Sequence, residues 1–142
     1  MDANAFLIGL AGVLVAAAPI VFAVIGETIS ERAGVINLSM NGTILLSAMG
    51  GFVVAVQTDS ILLGFLTGAL IGMLVALVVA FSSITLKQSQ VAVGFVLALV
   101  TRDLSYFLGN PFMGLSGPRL PAWNLPVLEN IPVLGPLLFK HD

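Results

Sequence analysis

The sequence has no cysteine, one histidine and few charges, with Lys, Arg, Asp and Glu together making up 8% of its 142 residues. The absence of cysteine excludes a disulfide framework and thiolate metal sites. His141 alone builds neither a multi-histidine centre nor a buried catalytic base, so no metal site is expected. A soluble domain is typically about a quarter charged, because charge keeps a packed surface in water. The formal net charge of -2 rests on so few groups that it points neither to nucleic acid nor to an acidic substrate.

What is present is apolar: 58% hydrophobic residues and a mean hydropathy of +1.13. These values predict an all-α polytopic membrane protein, in contact with lipid, with about four transmembrane helices near residues 5–25, 38–56, 61–84 and 91–108. Residues 6–25, FLIGLAGVLVAAAPIVFAVI, carry no charge and are long enough to cross a hydrocarbon core of about 30 Å at about 1.5 Å per residue. A signal peptide would want Lys or Arg ahead of this run, and Met-Asp-Ala-Asn-Ala has neither. Pro19 removes a helical hydrogen bond inside the span, which predicts a bend near residues 16–19.

The third run, ILLGFLTGALIGMLVALVVAFSSI, has Gly64, Gly68 and Gly72 at every fourth position. On a helix they share a face and let another backbone approach, which is how membrane helices pack when no water is expelled. The second run spans only if its helix starts at Leu38 and draws Ser39, Asn41 and Thr43 toward the bilayer. The fourth spans only if it continues through Arg102 and Asp103 to Leu108, with Arg102 snorkelling toward headgroups or meeting a polar partner. These runs make residues 1–108 a helical bundle. Residues 109–142 hold six of the seven prolines and read as a Pro/Gly-rich interfacial or extracytoplasmic segment. Trp123 suits a headgroup boundary equally well as a place against the bundle, and residues 134–139 open another apolar burst. With four spans, Arg32 and Lys87 lie on one side and Arg119 and Lys140 on the other, so charge alone does not orient the bundle.

Between the first two spans lies GETISERAGVINLSMNG, residues 26–42, with Glu27, Glu31 and Arg32. Glu27 and Glu31 would share a helix face and repel unless Arg32 or another cation lies near. Asn37 has the residue type of an N-cap for a helix beginning at Leu38, and Asn37 and Asn41 would look along one face of it. Irregular backbone at depth is tolerated only when buried in protein or lining a watery path. A plain connecting loop followed by a capped helix fits these residues equally well. The sequons at Asn37 and Asn41 are read as chance.

Residues 17–51, AAPIVFAVIGETISERAGVINLSMNGTILLSAMGG, resemble the N-terminal region of permease subunits of ATP-binding-cassette importers. The branch is the one that includes ribose, branched-chain amino acid and especially nucleoside or simple-sugar systems. The pattern those permeases carry after their first helix, "GE…SERAGV.NLG.EG", is matched at Gly26, Glu27, residues 30–35, Asn37, Leu38 and Gly42, with Pro19 upstream. The likeness continues more loosely through the glycine-rich third span and through QVAVG at residues 90–94 to the proline-rich segment at residues 131–136.

The resemblance implies a subunit of the cytoplasmic (inner) membrane that carries a nucleoside or simple sugar by alternating access. It implies a second permease subunit, two cytoplasmic ATP-binding subunits and an extracytoplasmic substrate-binding protein as partners. The chain itself would be no enzyme and would bind no cofactor; the ATP belongs to the partners, and the chain has no G-x-x-x-x-G-K-[ST] loop. The family topology would put residues 26–42 and Lys87 on the cytoplasmic side and the N-terminus outside. Asn37, Asn41 and Ser47 are then the candidates for polar pathway lining, and Glu27 and Arg32 for a structural ion pair at the cytoplasmic entrance. For each, helix capping or helix-to-helix hydrogen bonding is the alternative role.

Ser39 and Asn41 stand where relatives commonly have glycine and an acid, which leaves the substrate open. Family members run further and add the coupling loop that meets the ATPase, so the chain is expected to be an N-terminal portion of a permease, whether truncated, split or partial. Two other classes compete. A small oligomeric secondary transporter or channel would use Glu27 as its ion site, and a non-transporting membrane fragment would only copurify with partners.

Overall fold

The structure, a computed structural model, describes residues 3–119; Trp123, the apolar burst at residues 134–139, Lys140 and His141 lie outside them. Four α-helices follow one another: α1 (Ala3–Arg32), α2 (Met40–Thr58), α3 (Ile61–Ile84) and α4 (Gln90–Gly109), with a short 3₁₀ turn at Asn110–Phe112. Each contains a stretch long and apolar enough to cross a membrane. Contacts divide the described chain after Gly26, so the first 24 residues of α1 form one body and Glu27 onward another.

Helix α1 holds its helical hydrogen bonding on both sides of Pro19 and runs past the apolar stretch to Arg32. The polar residues Glu27, Thr28, Ser30 and Glu31 are therefore helical, beyond the span of residues 5–25 that the apolar run predicts. Polarity sets where a helix meets water and does not end it; the end comes from Gly34. Gly34 adopts φ +81°, its N–H bonds Glu31 O at 2.9 Å and the Val35 N–H bonds Ser30 O at 3.0 Å. This is the paired C-terminal motif that a glycine in the left-handed region permits, with Arg32 in the last turn against the negative helix end.

Helix α2 begins at Met40 instead of Leu38, and its N-cap position is Ser39 instead of Asn37. The Asn37 carboxamide oxygen accepts from the Ser39 N–H at 3.0 Å and from the Ser39 hydroxyl at 2.5 Å, closing a turn just before the helix. A two-residue turn follows α2, with Asp59 at φ 50° and Ser60 capping α3 through the Leu63 N–H at 3.4 Å. Ser89 caps α4 in the same way through the Ala92 N–H at 3.4 Å.

In the body from Glu27 onward, α2 packs on both α3 and α4. Its buried positions are Ser39, Gly42, Gly64, Val75, Val79, Gly94, Thr101 and Ser105, while large side chains such as Leu62, Phe65, Leu74, Val96 and Phe107 face outward. Small and hydroxyl residues inside with bulky apolar residues outside invert the arrangement of a water-soluble core. That inversion suits helices packing in lipid.

Candidate functional site

The connection between α1 and α2 rests on α4. The Ile36 N–H donates to Gln90 Oε1 at 3.0 Å, and a side chain at Gly94 would meet the Leu38 nitrogen at 2.9 Å. Asn37 is half-buried and occupied with Ser39, and Thr43 Oγ1 donates to Ser39 O at 2.9 Å one turn further on. Asn41, in the first turn of α2, is exposed and has no hydrogen-bond partner among the described residues. Asn37 and Asn41 therefore differ in role despite their spacing: one closes a turn, and the other is presented outward.

Further along, α2 meets α4 through a hydroxyl-lined seam. Gly42 lies against Ala98 and Thr101, so closely that a Cβ there would collide with the Ala98 carbonyl and the Thr101 hydroxyl. Thr101 Oγ1 turns back to Leu97 O at 2.6 Å, and Ser105 Oγ donates across the interface to Leu45 O at 3.0 Å. Neither Gly42 nor Gly94 has a glycine four residues away in its own helix, so no periodic signal marks them in the sequence.

The other face of α2 meets α3. A Cβ on Gly64 would stand 2.7 Å from Gly51 O, and one on Gly68 would stand 3.2 Å from Ser47 O. Gly72 covers Ser47, whose Oγ would be 3.7 Å from a Cβ at Gly72 and which is buried without a hydrogen-bond partner. Beside this contact opens an apolar cleft of about 700 Å³, walled by Ser47, Gly51, Phe52, Gly64, Phe65 and the returning chain at Gly117–Pro118.

Among the described residues the ion pair is Arg102 Nε to Asp103 Oδ1 at 3.0 Å, with both side chains exposed on α4. Glu27 and Arg32, both in the last turns of α1, form no ion pair with each other or with another described residue. The entrance ion pair expected from the sequence is therefore absent among the described residues. Five positions separate the two residues, which is further round the helix than the three or four that bring side chains together.

The sequence matches the family described as branched-chain amino acid transport system / permease component over residues 9–134. It is 39% identical over 140 residues to a candidate glucose ABC transporter permease of Haloferax volcanii, an alignment covering 95% of this chain and 43% of that protein. It is 31% identical over 148 residues to a nucleoside ABC transporter permease of Lactococcus lactis subsp. cremoris, covering 97% of this chain and 47% of the relative. A guanosine ABC transporter permease of Bacillus subtilis is 26% identical over 138 residues, covering 89% and 43%. The chain thus spans a little under half the length of these relatives. No solved structure matches it.

Proposed function

The chain belongs to the permease-component family of branched-chain amino acid transport systems, and from that premise we propose that it forms the N-terminal part of an ATP-driven importer's membrane subunit. The solute is a nucleoside or a simple sugar. The observation that carries this reading is an alignment over 95% of the chain with a relative named for glucose, joined by relatives named for nucleoside and guanosine. Two cytoplasmic ATP-binding subunits supply the energy, a second permease subunit completes the path, and an extracytoplasmic binding protein delivers the solute. The chain binds no ATP itself, and its N-terminus lies outside.

Alternating access in such a bundle comes from rigid helices rocking about a fixed path. The close glycine contacts of α2 with α3 and α4 support treating the three as one such body. Of the three pathway candidates, Asn41 is the one whose amide is presented outward and unengaged. Asn37 serves the turn before α2, and Ser47 lies beneath Gly72. Glu27 and Arg32 stand at the end of α1 as separate charges on the cytoplasmic side.

The reading is tested by uptake of labelled glucose and guanosine into cells carrying the complete importer, against cells whose ATP-binding subunits lack the phosphate-loop lysine. ATP-dependent accumulation of either solute is expected. Uptake by the purified chain alone in liposomes, driven by a pH gradient, would instead make it a secondary carrier. Asn41→Ala is expected to raise KM for uptake severalfold with no change in unfolding midpoint, whereas Asn37→Ala lowers stability by about 1 kcal/mol.

A further inference from the structure

Most charges of the described chain lie at helix ends or in connections: Glu27, Glu31 and Arg32 at the end of α1, Asp59 and Lys87 in turns, and Arg119 beyond α4. Arg102 and Asp103 do not. They fall at the middle of the membrane-crossing stretch Gln90–Phe112, twelve and ten residues from its two ends for Arg102. At about 1.5 Å per residue that is roughly 18 Å and 15 Å, half a hydrocarbon core from either surface.

The pair is also turned away from the rest of the body. Gly94, Thr101 and Ser105 form the buried side of α4, while the Arg102 and Asp103 side chains are 46% and 68% exposed. Bulky apolar residues surround them on the outer side: Val96, Leu99, Tyr106 and Phe107. A carboxylate and a guanidinium open to hydrocarbon at that depth cost several kcal/mol, and charges so placed in membrane proteins face water or a polar partner. Within the described residues no polar group from another element reaches the pair, whose one ion pair is with itself.

We propose that Arg102 and Asp103 line the aqueous path of the assembled importer and contact the hydroxyl groups of the passing solute, an inference that rests on the importer reading above. The chemistry is specific to neutral, hydroxyl-rich molecules. One Nε–H of Arg102 is spent on Asp103 Oδ1, which leaves the guanidinium's terminal N–H groups as donors and the second carboxylate oxygen as acceptor. Adjacent ring hydroxyls supply the complementary pattern: one oxygen accepts from the guanidinium while its neighbour donates to the carboxylate. Because the pair is internally neutral, it attracts no ion, and its hold on a neutral solute is weak enough for release.

This chain holds no cysteine, so a thiol introduced into it is the one thiol among its 142 residues, and labelling is read against the importer without that substitution. In the complete importer reconstituted in proteoliposomes, Arg102→Cys and Asp103→Cys are treated with a charged, membrane-impermeant thiosulfonate. Leu70→Cys, at an exposed position of α3 with no charged neighbour, serves as the reference. Both positions on α4 are expected to react at least tenfold faster than Leu70→Cys, and glucose or guanosine is expected to slow them severalfold. Reaction no faster than the reference means lipid or protein covers the pair and overturns the proposal; fast reaction that neither solute slows overturns the contact. Asp103→Asn gives a second readout, expected as a tenfold rise in KM for uptake with kcat nearly unchanged; an unaltered KM counts against the contact. Labelling is read without transport, so an importer that accumulates no such solute overturns the importer reading alone, while absent labelling with intact uptake overturns this one alone.

Discussion

Helix α2 is held on two sides by the same device, glycine brought against a neighbouring backbone, yet the two contacts differ in kind. Toward α4 the glycines Gly42 and Gly94 are joined by hydroxyls that hydrogen-bond, and Ser105 donates across the interface. Toward α3 the glycines Gly51, Gly64 and Gly68 meet backbone carbonyls, the Ser47 hydroxyl has no partner, and a cleft remains beside them. A cleft of about 330 Å³ also opens beside the first contact, between Phe52 and Tyr106, but there the hydroxyl groups are bonded, whereas in the second the buried hydroxyl is not. In lipid, where apolar surface gains nothing by leaving the solvent, the hydrogen-bonded contact is the one that fixes register.

Four substitutions sharpen this contrast, each read as the unfolding midpoint of the purified permease in mixed micelles. Gly42→Val is expected to be the most damaging, at about 3 kcal/mol, because the added carbons meet a carbonyl and a buried hydroxyl that have nowhere to move. Gly64→Val introduces atoms 2.7 Å from Gly51 O and 2.8 Å from the Ala55 methyl, but the adjacent cleft lets α3 yield, and about 2 kcal/mol is expected. Ser105→Ala removes the hydrogen bond to Leu45 O and costs about 1 kcal/mol. Ser47→Ala removes a buried hydroxyl that bonds nothing, so its effect falls within about 0.5 kcal/mol and on the stabilising side. Equal losses for the two serines, or a larger loss at Gly64 than at Gly42, would remove the distinction between the faces.

Parts of this arrangement are legible in the sequence and parts are not, for physical reasons. Apolar run length locates the four helices, because crossing a bilayer imposes a minimum length that composition reveals directly. A register of glycines four apart is likewise visible, and Gly64 and Gly68 stand against α2. Gly42 and Gly94 are single residues whose meaning depends on what lies opposite, and no local pattern encodes Ala98 or Leu38 as their neighbours. The apolar run marks where α1 leaves the hydrocarbon, near residue 25, but its end lies further on, because Gly34 after Arg32 is the terminator and charge alone does not stop a helix. Asn37 has the right chemistry for an N-cap, but the turn it closes with Ser39 shifts that position by two residues. Opposite charge suggests joining Glu27 and Arg32, but five positions along a helix separate them.

The turn between α2 and α3 bears on how the protein is made. Asp59 and Ser60 are the whole connection, so α2 and α3 form one hairpin whose tip carries a single charge. Moving that tip through the hydrocarbon costs about 3 kcal/mol for the carboxylate, set against two long apolar spans that favour entry. Gly51 and Gly64 stand on either side of this turn, close to it, and can find each other as soon as both spans have left the insertion machinery. The α2–α3 contact is thus available during synthesis, whereas the hydroxyl seam must wait for α4.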